Sequence, residues 1–198
     1  MKIVAISQRV DNIKEYGEIR DALDEQWHRL FWQMDAVLVP VPNLPESIPA
    51  VLERLRPEAV VLSGGNTPVV YGGTAKQRDK VDEMLIEYAV QYSRPLLGVC
   101  RGMQSVALYF GSSLRKVEGH VAVKHEVTGE INRTVNSYHT YAVDRLGGEL
   151  RAAAWTKQGE IEALQHQTLP VFGMMWHPER MNGFDKDDIK LIREKLAL

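Results

Sequence analysis

The sequence predicts an α/β fold, a mostly parallel sheet with helices on both faces and an antiparallel hairpin extension. Three observations predict it. Short apolar runs rich in Val, Ile and Leu alternate with longer amphipathic stretches as far as Phe110, the pattern of buried parallel strands joined by covering helices. From Lys116 to Met175 the runs shorten and turn residues separate them, which suits antiparallel hairpins. The composition, 44% hydrophobic and 25% charged over 198 residues, is that of one globular domain spanning residues 1–198.

Taken in order, Ile3 to Ile6 is the first strand, an apolar run too short for a helix. Tyr16 to Trp32 reads as the first helix because Ile19, Leu23, Trp27 and Leu30 fall on one stripe. Ala36 to Val39 is the next strand, and the Pro-rich piece Pro40 to Pro49 reads as a loop. Ala59 to Leu62 is the third strand, followed by a helix over Lys76 to Tyr92 with Val81, Leu85 and Tyr88 inward. Leu96 to Val99 is the fourth strand, and Arg101 to Phe110 begins as a helix at once, with no room for a connecting loop. Shorter strands follow at His120 to Val127, Arg133 to Asn136, Ala152 to Trp155 and Ile161 to Gln165. Val171 to Met175 is the last strand, and Asp187 to Leu198 closes the chain as a helix with Ile189, Ile192 and Leu196 inward.

Charge and cysteine content narrow the partner. Lys plus Arg number 24 and Asp plus Glu 26, a net charge of −2, so no broad positive field exists to attract nucleic acid or an anionic membrane. A small-molecule partner is expected instead. The single cysteine, Cys100, excludes an intramolecular disulfide and points to a reducing compartment. The apolar run after Met1 is too short for a secretory leader, and no stretch approaches the ~20 apolar residues of a membrane span. A cytoplasmic location is expected, with neither a cofactor nor a metal site.

The strongest local signal is Gly98-Val99-Cys100-Arg101-Gly102-Met103-Gln104. A strand that turns at once into a helix strains its corner residue, and small residues two positions to either side relieve the crowding. Gly98 and Gly102 occupy those positions around Cys100. The corner thiol then sits at a helix N-terminus, whose partial positive charge favours the thiolate. A lone cysteine is more often an inert core thiol, so the elbow is what singles this one out.

A thiolate that attacks an amide also needs a proton donor for the departing amine. Trp176-His177-Pro178-Glu179-Arg180 supplies one directly after the last strand; residues two apart share a side, so Glu179 is placed to orient the His177 ring. Arg180 and the other five histidines show no such arrangement. The third element is Leu62-Ser63-Gly64-Gly65-Asn66, where paired glycines at a strand's end let backbone N–H groups approach a ligand. Alone this is a tight turn; beside the elbow, the N–H groups of Gly65 and Arg101 become oxyanion donors.

These segments, together with Asn136-Ser137-Tyr138-His139, resemble in order and spacing the class I glutamine amidotransferase-like family, and within it the gamma-glutamyl hydrolase branch. The resemblance covers essentially the whole chain. It implies a flavodoxin-like sheet carrying a triad of Cys100, His177 and Glu179, with Gln104, Asn136, Ser137, Tyr138 and His139 binding the amino-acid end of a glutamyl group. Ser63 stands where the family usually has Pro, a departure that leaves the glycine donors in place. The implied chemistry is acyl transfer from a gamma-glutamyl amide through a thioester to water.

Two readings of the leaving group stand: a free hydrolase of a gamma-glutamyl amide, and a glutaminase subunit that passes ammonia to a separate synthase. The compact chain, with Ser7-Gln8-Arg9, Arg20, Trp27, Lys124-His125-Glu126-Val127 and Met175 to Gly183, is most similar to gamma-glutamyl-CDP-amidate hydrolases, which implies a nucleotide-linked substrate of capsule phosphoramidate biosynthesis. Arg9 follows a strand's carboxyl end, where open parallel sheets bind ligands, and with Arg20 and Lys124 is a candidate to meet phosphate. Each of these charges taken singly is more often a solvated surface group. A redox protein with an elbow cysteine is a third class, and the His177-Pro178-Glu179 segment argues against it.

Overall fold

The computed structural model describes residues 1–181 and 183–198; Asn182, within the Met175 to Gly183 segment that carries part of the resemblance, lies outside them. The chain runs β1 (Lys2–Ile6), β2 (Arg9–Ile13), β3 (Glu18–Ala22), α1 (Glu25–Gln33), β4 (Ala36–Pro40), α2 (Ile48–Leu55), β5 (Ala59–Leu62), α3 (Lys76–Gln91), β6 (Leu96–Val99) and α4 (Arg101–Tyr109). It continues as β7 (Ser113–Lys116), β8 (Val121–Gly129), β9 (Arg133–Tyr138), β10 (Tyr141–Arg145), β11 (Leu150–Thr156), β12 (Ile161–His166), β13 (Val171–Met174) and α5 (Lys186–Leu196).

Five parallel strands form the centre in the order β4-β1-β5-β6-β13. Numbered among themselves in chain order this is 2-1-3-4-5, the flavodoxin-like arrangement. β5, β6 and β13 are buried at every position, which is why they read as unbroken apolar runs rather than alternating ones. Beyond β13 the sheet turns antiparallel through β12, β11, β8 and β9, and β10 with β7 pairs off to one side of β12. The carboxyl ends of β1, β5, β6 and β13 emerge along one edge, carrying Ser7, Ser63, Cys100 and the segment leading to His177.

Strands β7 and β10 are not among the expected elements, and two further differences concern the helices. Residues 16–22, expected in the first helix, belong to a hairpin in which β2 and β3 pair antiparallel, apart from the main sheet, across a turn with Gly17 at φ 64°. The stripe of Ile19, Leu23, Trp27 and Leu30 spans two structures: Ile19 is 75% exposed on β3, whereas Trp27 and Leu30 are buried on α1. The helix starts only where Asp24 caps it, its carboxylate accepting from the Gln26 N–H at 2.9 Å. The second difference is α2, which begins at the end of the piece read as a loop. Pro49 sits in its first turn, where a missing N–H costs no intrahelical bond.

Candidate active site

The geometry begins with the backbone at Cys100. Its φ of 50° and ψ of −104° lie outside the regions a residue with a Cβ adopts easily, and the corner is pinned by the Cys100 N–H donating to the Met174 carbonyl at 2.8 Å. The flanking glycines are required by close approach. A Cβ on Gly98 would fall 2.6 Å from the Gly102 carbonyl group, and one on Gly102 would fall 2.0 Å from the Leu62 carbonyl oxygen. Helix α4 therefore presses directly on the end of β5, and the thiol projects at the head of the helix.

His177 and Glu179 meet this thiol from β13 and the short turn Pro178–Arg180. The His177 Nδ1–H donates to Glu179 Oε1 at 2.7 Å, and both side chains are buried. Burial works against a charged imidazole, yet pairing with Cys100 and with Glu179 outweighs it and pushes His177 up to about 9. At neutral pH the ring is then a proton donor beside the Cys100 sulfur. Asn136 holds this histidine through its main chain, donating from Nδ2 to the His177 carbonyl and accepting the His177 N–H at Oδ1.

The glycine loop is organised by Arg78, a fully buried side chain on α3. Its guanidinium donates to the carbonyls of Ser63 at 2.7 Å and Gly64 at 2.9 Å, to that of Gly65, and to Asn66 Oδ1 at 2.9 Å. In a trans peptide the N–H points opposite to the preceding carbonyl, so tying the Gly64 carbonyl to Arg78 turns the Gly65 N–H the other way. Gly65 itself has φ 85°, a conformation suited to glycine. Burial, and then the neighbouring Arg9, pull the Arg78 guanidinium down to about 9.

Two cavities open here and share Gly65, His177 and Arg180 in their walls. One, of about 210 Å³, contains Cys100, Arg101, Gln104, Tyr138 and His139. The other, of about 270 Å³, contains Arg9, Asp11, Trp27 and Glu179. The structure thus brings together Cys100, His177, Glu179, Gly65, Arg101, Gln104, Tyr138, His139 and Arg9. Arg101 contributes its main chain, because its buried guanidinium turns away to pair with Asp79 and Asp82.

Other expected contacts fall elsewhere. Arg20 lies on the exposed hairpin paired with Glu18 and lines neither cavity, a consequence of that segment being a strand and not a helix. Lys124 is likewise an exposed position on β8. Ser137 is fully buried and gives its hydroxyl to the His120 carbonyl at 2.7 Å, and both polar ends of the Asn136 side chain are committed to His177. Sequence reasoning missed Arg78, which sits in the polar run Lys76 to Lys80 and resembles a solvated helix charge. It also missed Arg180, which stacks its guanidinium 4.5 Å above the Tyr138 ring at the junction of the cavities.

The sequence pattern of the Peptidase C26 family matches residues 3–179. Gamma-glutamyl-CDP-amidate hydrolase of Campylobacter jejuni is 35% identical over 98% of both chains. Among solved structures, a Thermoplasma acidophilum protein described as a GMP synthase subunit superposes with a TM-score of 0.72 at 21% identity, covering 100% of this chain and 94% of its own. A glutamine amidotransferase from Thermotoga maritima superposes with a TM-score of 0.69 at 18% identity, covering 99% of this chain and 84% of its own. Those two share the fold.

Proposed function

Since the chain belongs to the Peptidase C26 family of class I glutamine amidotransferase-like proteins, we propose that it is a cysteine-dependent hydrolase that releases glutamate from a gamma-glutamyl amide. The observation that carries this reading is the convergence of Cys100 at its strained elbow with a His177 ring anchored on Glu179 at 2.7 Å. The Cys100 thiolate attacks the gamma-carbonyl carbon, and the oxygen takes up negative charge facing the N–H groups of Gly65 and Arg101. Collapse expels the amine, which takes its proton from His177 and leaves a thioester on Cys100. Water, deprotonated by His177, attacks the thioester; glutamate departs and the thiolate is restored.

The glutamyl group occupies the cavity that holds Cys100, with Gln104, Tyr138 and His139 around its amino-acid end. The leaving group extends into the cavity beside Arg9 and Arg180; Arg9 gives its Nε–H to Asp11 Oδ1 at 2.8 Å, which leaves the terminal nitrogens of its guanidinium for a phosphate. A nucleotide-linked amidate fits that charge, and the full-length similarity to gamma-glutamyl-CDP-amidate hydrolase favours it over free glutamine. Under this reading the enzyme serves capsule phosphoramidate biosynthesis. The test is glutamate release by the purified chain from gamma-glutamyl-CDP-amidate, from small gamma-glutamyl amides and from glutamine. A clear preference for the nucleotide-linked substrate, abolished in Cys100→Ser, is expected; rapid hydrolysis of glutamine without such preference would establish the ammonia-donating alternative.

A further inference from the structure

Behind the cleft wall lies a cluster of which only His139 also lines the cavity that holds Cys100. Glu162 on β12 has no solvent exposure, and three imidazoles converge on its carboxylate. His139 Nε2 lies 3.2 Å from Oε1, His125 Nε2 lies 3.3 Å from Oε2, and His120 Nδ1 lies 3.7 Å from Oε1. These contacts are not equivalent. The other nitrogen of His139, Nδ1, faces the Tyr141 carbonyl at 3.1 Å, so both nitrogens of this ring have an oxygen opposite them. By contrast His120 Nδ1, His125 Nε2 and Glu162 Oε2 are buried and lack a well-aligned hydrogen-bond partner among the described residues.

From this arrangement we propose that His120, His125 and Glu162 bind a divalent transition-metal ion of the zinc class. One ligand atom from each can be chosen so that all three lie within 4.8 Å of one another. Ligands about 2.0–2.2 Å from a common tetrahedral ion sit roughly 3.3–3.6 Å apart, so a small inward adjustment closes the site. Two imidazoles and a carboxylate suit zinc and its neighbours and not magnesium or calcium, which favour all-oxygen shells. The His120 and His125 rings have centroids 5.0 Å apart, close enough for both to reach one ion. His139 then plays the supporting part common around such ions, fixing the orientation of the ligating carboxylate through its free oxygen.

The ligands come from separate segments. His120 precedes β8, His125 lies within it, and Glu162 lies on β12, with β11 between the two strands. An ion here clips the antiparallel extension to the strand whose Glu162 carbonyl accepts the Met175 N–H at 2.7 Å, just before His177. The site was not anticipated from the sequence, because its histidines and glutamate are scattered without a ligand-spacing motif.

The test is a zinc titration of chelator-stripped protein by calorimetry, with the melting temperature followed in parallel, on the wild type, on Cys100→Ser, and on Cys100→Ser carrying in addition His120→Ala or His125→Ala. Cys100→Ser is included because a thiolate beside His177 is itself able to hold zinc. We expect Cys100→Ser to bind one ion and melt at a higher temperature when loaded. Each histidine variant should lose that binding by more than the ~10–100-fold typical of disturbing a ligand's outer hydrogen-bond partner. Loss of binding in Cys100→Ser, or unchanged binding in both histidine variants, overturns the proposal. Should the histidine variants fail to fold, cobalt loading of Cys100→Ser decides it: visible d–d bands of a low-coordinate nitrogen and oxygen site support the assignment, and an octahedral or aqueous spectrum refutes it.

Discussion

The Asn136 side chain grips the main chain of His177 at both polar groups, with hydrogen bonds of 2.8 Å from Nδ2 to the carbonyl and from the N–H to Oδ1. The histidine is thereby positioned by β9 as well as by the strand it follows. Asn136→Ala leaves a buried N–H and a buried carbonyl unpaired, each worth about 1–3 kcal/mol. A lowered melting temperature is expected, together with a fall in kcat of roughly 10–100-fold from the misplaced ring. Thermal unfolding and steady-state kinetics on one gamma-glutamyl amide measure both; an unimpaired kcat would show that the clamp does not position the ring.

Arg78 acts on the cleft without entering it. Removing it as Arg78→Met frees three consecutive carbonyls and with them the direction of the Gly65 N–H. Loss of one oxyanion donor costs about 100–1,000-fold in kcat, and the variant should approach that range with KM little changed. Arg78→Lys should recover only part of the activity, because an ammonium cannot fork across several acceptors. A kcat ratio near one for Arg78→Met would remove the donor role from the loop.

The pH profile follows from His177. Its folded value of about 9 lies above the ordinary 6.5, so the charged ring's contribution to folding stability is fully present below 6.5 and is lost as pH rises through about 9. In the proposed mechanism the same proton serves the leaving amine. An alkaline limb near pH 9 is therefore expected in kcat/KM, and Glu179→Gln, which removes one of the raising influences, should move that limb to lower pH. A limb that stays put in the variant would mean that another group limits the rate.

Two arginines that looked alike in the sequence are separated by their positions. Arg9 lines the cavity assigned to the leaving group, and Arg20 does not. Arg9→Ala should raise KM for a nucleotide-linked amidate by about tenfold or more while leaving a simple glutamyl amide within about twofold, a range set by the loss of one charge-assisted hydrogen bond. Arg20→Ala should leave both constants near wild type. Equal KM changes for the two substrates in Arg9→Ala would remove the phosphate role.

What could be read from the sequence was whatever a short segment decides for itself. The strands Ala59–Leu62 and Leu96–Val99 were legible to the residue because a fully buried parallel strand must be apolar throughout. The elbow at Cys100 was legible because it needs glycines two residues away on either side; the pairing of His177 with Glu179 was expected from an extended segment and is reached instead through the turn Pro178–Arg180. The helix read over residues 16–32 failed where a hairpin placed Ile19 in solvent, since periodicity cannot distinguish a stripe that is used from one that is not. Arg78, Arg180 and the Glu162 cluster stayed hidden because their significance lies wholly in partners distant along the chain.

The β2–β3 hairpin forms a sheet of its own and is fastened to the body by side chains: Asn66 bonds the main chain of Val10 at both ends, and Asn43 meets Asp21. Cys100 and the glycine loop, in contrast, are wedged together where Gly102 abuts Leu62. The hairpin is thus keyed to the glycine loop, since the Asn66 that grips Val10 also accepts from Arg78, and a Cβ on Gly65 would fall 3.2 Å from the Arg9 Cβ. An exchange of residues 9–22 for those of a relative therefore disturbs the glycine loop along with the cavity wall unless the contacts of Arg9 and Val10 with Gly65 and Asn66 are kept.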